Sequence, residues 1–341
     1  MRAIAIDKWP FPREKWDLLG ACMKIGFFLV AIHELLLSPI TPSHRIIQIN
    51  NILPPHGSLL SPLLIARPVE SAGHRKVRHF ISHHFKDLGW HVELDVFNKN
   101  TTIGLVTFTN IIATANPDAH QRIIVAAHYD SKRFVLEHGT QGKRVTDFIG
   151  ASDSAWPCAL MLELASSVPL QNAAVSLQMI FFDGEEALEH WSEADSIYGA
   201  KHLADRWLKA GRLDGIKFLL LLDLLGTINP EFHNFFPETY HLFRQLMAAE
   251  QKLIRISSLK NRQRYFVDRT VRVQMDNGKY WLEDDHIPFL EAGVPVLHLI
   301  PVPFPKQWHT PQDDVSALDA DTCHDLGLII HSFLSSELKA P

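Results

Sequence analysis

Four apolar runs in this chain each lead into a polar residue of the kind that binds metal or moves protons. They are RIIVAA (122–127) before His128-Tyr129-Asp130, SLQMIFF (176–182) before Asp183-Gly184-Glu185-Glu186, IKFLLLL (216–222) before Asp223, and VPVLHLI (294–300), followed shortly by Trp308-His309. Each is too short to span a membrane and too uniformly apolar for a half-exposed strand, so they read as buried parallel strands. Helix-length segments separate them, which points to an α/β fold in a single domain: a mixed, mostly parallel central sheet flanked by helices on both faces. Sheets of this kind place their sites at the carboxyl ends of the strands. The groups found there, two histidines and several carboxylates, form a metal-ligand set rather than a phosphate cradle, and a zinc enzyme is the expectation.

The remaining elements follow from periodicity. Val77, Phe80, Ile81 and Phe85 predict a helix over 71–88 that Gly89 ends, and 92–97 with 105–113 read as an antiparallel edge pair. Helices are expected over 159–167, 198–210 and 239–252, with one closing helix over 315–338. The polar cluster His74-Arg75-Lys76-Val77-Arg78-His79 reads as a solvated helix face, and Glu193 and Asp195 as an exposed acidic turn. The long connections 134–148 and 301–308, rich in Gly, Pro and aromatics, can shape a pocket mouth.

A net charge of -5 on 341 residues, with the basic residues dispersed, excludes a nucleic-acid stripe. Cys22, Cys158 and Cys323 are too few for a disulfide scaffold and lack the spacing of a thiolate metal site, so Cys158, opening the helical pattern ALMLELA, reads as a buried inert thiol. Residues 1–45 stand apart from the catalytic domain, 46–341. Arg2, Lys8, Arg13 and Lys15 precede the apolar stretch Ile25 to Ile32, the pattern of a secretory signal or anchor, of a mitochondrial leader, or of an amphipathic helix. Any membrane contact is expected through this segment alone. Asn100-Thr101-Thr102 is an N-glycosylation acceptor sequence, which favours the secretory route, secreted or Golgi-luminal.

An open zinc site needs about three protein ligands from the nitrogen and oxygen set plus one exchangeable position. Asp153 in GASDS, Glu186 in DGEE and His309 in WHT each follow a strand or lie in the loop leaving one, so the fold can gather them. The adjacent glutamates divide the labour: Glu186 can coordinate while Glu185 faces substrate as an acid/base, its pKa raised by burial and a neighbouring carboxylate. Asp223, after four leucines, and Asp284, in Glu283-Asp284-Asp285-His286, are placed to share protons with it. Asp130 is expected to orient its neighbours, and Tyr129 to pack.

The strings AAHYDSK, GASDSAWPCALMLELA, FFDGEEALEHWSEADSIYGAKHLA, LLDLLGTINP and EDDHIPFLEAGVPVLHLIPVPFPKQWHT resemble those of animal glutaminyl-peptide cyclotransferases, or glutaminyl cyclases, whose fold is shared with zinc aminopeptidases of the M28 type. The resemblance runs from about Ser61 to near the C-terminus. It implies one zinc per chain on Asp153, Glu186 and His309, with Glu185 as proton shuttle and Asp223 and Asp284 in its supporting network. It further implies an aromatic pocket from Trp191, Phe304 and Trp308, with Lys132 and Phe134 near the entrance. The implied partners are peptides and proteins with N-terminal glutamine, and more weakly glutamate, cyclised to pyroglutamate. In the dinuclear peptidases, positions like His128 and Asp223 hold a second zinc, and the residue types here suit both arrangements. Three departures stand out. Ala127 occupies a place where secreted cyclases commonly carry a Cys bonded to the position of Cys158, the 135–148 loop is longer, and Glu283 replaces a frequent Gln.

Overall fold

The structure, a computed structural model, describes residues 57–137, 143–146, 148–170, 174–261, 263–271 and 281–339. The leader, its boundary at 45/46 and Cys22 lie outside them. In chain order the elements are α1 (Ala72–Asp87), β1 (His91–Thr101), β2 (Gly104–Thr114), β3 (Gln121–His128), β4 (Phe134–Glu137), β5 (Lys143–Thr146), α2 (Trp156–Ser167), β6 (Val175–Phe182), α3 (Tyr198–Lys209), β7 (Ile216–Leu222), β8 (Phe232–Asn234), α4 (Tyr240–Arg255), β9 (Phe266–Thr270), α5 (Ile287–Glu291), β10 (Val296–Leu299) and α6 (Ala320–Glu337).

The main sheet runs β1-β2-β6-β3-β7-β10. β6, β3, β7 and β10 are parallel neighbours, and the β1–β2 hairpin adds an antiparallel edge through β2 against β6. Alternation along the buried strands explains their continuous apolar runs, because each face needs its own core. Ile123, Val125 and Ala127 enter one core with Leu177, Met179, Phe181, Leu220 and Leu222, covered by α1, α2, α4 and α6. Ile124 and Ala126 enter the other with Ile180, Phe182, Leu219 and Leu221, where Leu203 and Trp207 of α3 and Phe289 of α5 pack. Every residue of α2 except Ser166 is buried, as a helix apolar all round requires.

The sequence expectations differ from the structure at three places. The segment 315–338 is not one helix: a short turn at Val315–Ala317 precedes α6, which starts after Asp319, whose carboxylate accepts from Thr322 N at 2.8 Å. The side-chain cap, rather than the apolar pattern, sets the start. The basic cluster in α1 is not wholly solvated, since His74 is buried in register with Val77, Ile81 and Phe85 and lies 2.8 Å from Asp183 Oδ1, stacked on Tyr129. Asp195 is buried, while Glu193 is exposed as expected. The Asp195 carboxylate accepts from the backbone amides of Leu188, Glu189 and His190 and from the Tyr198 hydroxyl, at 2.9 to 3.0 Å, closing the loop that carries Trp191. The short pairs β4–β5 and β8–β9 and the five-residue α5 carry too little periodicity to be visible in sequence.

Candidate metal centre and active site

The carboxyl ends of the parallel strands and the loops that leave them bring the polar residues together. His128 ends β3, Glu185 and Glu186 follow β6, Asp223 follows β7 and His309 lies in the loop after β10. Asp153 comes from the turn Ala151–Ala155 ahead of α2, where Asp153 and Ser154 leave helical angles (φ -117 and -124) and so turn away from the helix axis. Gly150 makes this possible. Its φ of +59 suits glycine, and a Cβ there would stand 2.1 Å from the Asp153 carbonyl oxygen. Gly184 at φ +68 lets the chain leave β6 under Phe108, only 2.4 Å from where a Cβ would sit.

Three buried groups hold this frame, of which the sequence singled out only Asp183, and that without its partners. The Arg67 guanidinium donates to the carbonyls of Tyr129 (2.8 Å), Leu63 (3.2 Å), Gly150 (3.1 Å), Asp153 (3.3 Å) and Ile149, tying the His128 loop to the Asp153 turn. Asp313 Oδ1 accepts from the Ser152 amide and hydroxyl, each at 2.9 Å. Asp183 accepts from Thr109 N at 2.6 Å and binds His74 and Tyr129. Tyr129 packs, its hydroxyl donating to Thr109 O at 2.8 Å. Asp130 accepts from the amides of Glu185 (3.2 Å) and Glu186 (3.3 Å), so it orients the tandem glutamates through their backbone.

Asp153, Glu186 and His309 place one potential ligand atom each within 4.8 Å of the others. His309 Nε2 is 3.6 Å from Asp153 Oδ2 and 3.4 Å from Glu186 Oε1. Tetrahedral zinc with bonds of roughly 2.0–2.2 Å separates its ligands by about 3.3–3.6 Å. Asp153 Oδ2 and Glu186 Oε1 are buried and accept no hydrogen bond, an arrangement costly unless a cation sits between them. The residues therefore fit the group. Burial, and then the charge of Glu186, pushes the Asp153 carboxyl above the usual range. Burial works the same way on Glu186, but His309 and Lys132 outweigh it and hold that carboxylate low.

The remaining expected residues fall around this point. Glu185 is buried beside it with its carboxylate toward a cavity of about 430 Å³. Burial first, and the charges of Glu186, Asp284 and Asp285, hold Glu185 well above the carboxylate range, with His128 opposing. Asp223 Oδ1 accepts from Ser154 Oγ (2.5 Å) and Leu224 N (2.9 Å). Asp284 Oδ2 is 2.7 Å from His298 Nε2, a partner that the sequence showed only as one polar residue inside a strand. Trp191, Phe304 and Trp308 line the cavity, joined by Trp281, Leu282 and Ile300, which sequence reasoning did not single out. Trp308 stacks on His309 at 4.1 Å between ring centres. Lys132 lines the cavity, but its ammonium is 3.0 Å from Glu186 Oε2, so it is engaged with a candidate ligand. Phe134 sits behind His309, ring edge to face at 6.5 Å, and packs on Phe148. Cys158 is a free buried thiol that donates to the His128 carbonyl at 3.2 Å and is pushed up to about 12 by burial, the inert state expected of it.

His128 lies at a second cluster. Its Nε2 is 3.0 Å from Asp153 Oδ1 and 3.5 Å from Asp223 Oδ1. Burial disfavours its charge, yet Asp130, Asp153 and Asp223 together raise its pKa well above the usual value. A larger cavity, about 780 Å³, opens elsewhere among Phe218, Phe236, Leu242 and Val296 and, among the described residues, is lined by no member of a candidate metal cluster, so chemistry rather than size identifies the site.

Comparison with known proteins shows the family of the chain. Residues 110–334 match peptidase family M28. The chain is 39% identical over 350 aligned positions to the glutaminyl-peptide cyclotransferase of Drosophila melanogaster, covering 97% of this chain and 94% of that one. It is 42% identical to the Boiga dendrophila glutaminyl-peptide cyclotransferase, covering 82% of this chain and 80% of the relative. The crystal structure of Macrostomum lignano glutaminyl cyclase superposes with a TM-score of 0.76 at 34% identity, over 89% of this chain and 95% of that one. Matched over 225 residues by the family and at 39% identity over nearly its whole length by a named relative, the chain belongs to the glutaminyl-peptide cyclotransferases within peptidase family M28.

Proposed function

We infer that the protein is a glutaminyl-peptide cyclotransferase that converts N-terminal glutamine of peptides into pyroglutamate with release of ammonia, and that Asp153, Glu186 and His309 hold one zinc for this reaction. The carrying observation is the unligated, buried Glu185 beside three converging ligand atoms at the floor of an aromatic cavity. Relatives named for this activity over nearly the whole chain support it.

The reaction closes a ring by intramolecular aminolysis. The α-amine of glutamine forms a bond to its γ-amide carbon, the carbon–nitrogen bond of the amide breaks, and one proton passes from the attacking to the leaving nitrogen. A bound zinc supplies Lewis-acid polarisation of the γ-carbonyl oxygen. Glu185 takes the proton from the amine and delivers it to the departing nitrogen, and burial, by raising its pKa above the usual carboxylate range, makes it a stronger base for the first half of that transfer. Because nucleophile and electrophile already share one residue, the cavity has only to hold the bent side chain and exclude water. Trp191, Phe304 and Trp308 supply the apolar walls. Asp284, braced by His298, and Asp223, held by Ser154, keep the acidic groups behind Glu185 in place.

The donors on the carboxylates support a reading with one cation rather than two. Asp223 Oδ1, the atom facing His128, is already occupied by the Ser154 hydroxyl and the Leu224 amide. Asp153 Oδ2 and Glu186 Oε1 have no such donors. Among the described residues no helix is long and apolar enough to cross a membrane. The secretory route rests on the basic leader ahead of residues 25–32 and on Asn100, which is exposed near the β1–β2 turn.

A short Gln-initiated peptide tests the reading. The expected result is one ammonia and one pyroglutamyl peptide per turnover, lost on treatment with a strong zinc chelator and restored by added zinc. Release of free glutamine, with two zinc ions per chain, supports a dinuclear aminopeptidase instead.

A further inference from the structure

The cavity that holds the N-terminal residue shares a wall with a second one, and that wall carries charge. Trp191 and Glu283 line both. The Trp191 indole donates to Glu283 Oε2 at 2.9 Å, so the two side chains stand as one partition whose top is open to solvent. The second cavity, about 540 Å³, lies beyond the partition against Ile197, Ile287 and Pro288. Three carboxylates, Glu193, Glu283 and Glu291, reach it against one ammonium, that of Lys201. The Lys201 ammonium is turned to the backbone, donating to the carbonyls of Ser196 at 3.1 Å and of Glu193.

Cyclisation consumes the first residue only, so the rest of the peptide must leave the first cavity past its rim. Resting on the proposed function, we propose that this second cavity is a subsite for one of the two residues following the N-terminal glutamine, that it selects a cationic side chain, Lys or Arg, over an acidic one, and that Glu283 is its specificity-determining residue. The apolar floor of Ile197, Ile287 and Pro288 fits the methylene stem of such a side chain, and the carboxylates at the rim fit its charged head. Glu283 is the carboxylate nearest the reacting end, because it alone among the three borders both cavities. The charge recognition is made equally in ground and transition states, so it acts on KM more than on kcat.

The test is kcat/KM for amidated peptides Gln-X-Ala-Ala and Gln-Ala-X-Ala with X as Arg, Ala or Glu, using the full chain with its zinc. At low ionic strength the Arg peptide is expected to exceed the Glu peptide by roughly 10-fold or more at one of the two positions, chiefly through KM, with the gap shrinking in added salt. Glu283→Gln is expected to reduce that ratio at least threefold, and Glu291→Gln to reduce it by less, whatever either change does to the Ala peptide. Equal kcat/KM for Arg and Glu peptides at both positions overturns the subsite, as does a ratio that survives both substitutions. Failure to cyclise any of the peptides instead overturns the proposed function itself, so the two outcomes are distinct.

Discussion

Replacing Glu185 by glutamine is expected to lower turnover of a Gln-initiated peptide by about 10³-fold, within the range of about 10²–10⁴ that a positioned acid/base contributes. The amide keeps the size of the side chain and its backbone anchor on Asp130, but it cannot accept a proton from the attacking amine. Zinc content of the variant is expected to match that of the wild type, since Glu185 contributes no atom to the candidate ligand cluster. Glu186→Ala behaves differently: it removes one of two carboxylate ligands and leaves Lys132 without its 3.0 Å partner, so metal and activity fall together. Parallel measurement of zinc by mass spectrometry and of ammonia release separates the two. Equal metal loss in both variants contradicts the assignment of roles.

The largest expected stability effect lies at Arg67, outside the reacting cavity. Its side chain is buried and donates to five backbone carbonyls from three stretches of chain. Arg67→Met fills part of the space but takes a donor from all five carbonyls, of which Leu63 and Gly150 keep the amides of Ile65 and Ala155, and buried groups that lose their donor cost far more than the same bonds contribute when made. A loss of about 3–5 kcal/mol in chemical denaturation is expected. Arg67→Lys is expected to recover only part of it, because an ammonium offers three donors in place of a planar fork of five. A cost under about 1 kcal/mol for Arg67→Met contradicts this role.

The same residue marks how far the sequence could be read. The four central strands were legible because a strand buried on both faces is apolar at every position, and their ends named His128, Glu185, Glu186 and Asp223. Asp153 and His309 were named together with Glu186 from residue type, position and resemblance, but the turn after Gly150 and the left-handed backbone of His309 (φ 54) that aim them appear only in three dimensions. Arg67 and Asp313 belong to no periodic pattern and His298 is one polar residue within an apolar strand, and their roles arise from the carbonyls, amides and carboxylates of distant segments. Asp195 was misread because an acidic residue among Ser, Glu and Ala looks solvated until three amides converge on it. In α1 the basic neighbours of His74 concealed that it shares the inward spacing of Val77 and Ile81.

The central claim is one cation, held by three side chains that the fold gathers from separate loops. An anomalous-difference map recorded at the zinc absorption edge from crystals of the full chain tests it most directly. The account predicts one peak per chain, within bonding distance of Asp153, Glu186 and His309 and clear of Glu185. A peak instead among His128, Asp153 and Asp223, or a second peak of equal height there, contradicts it.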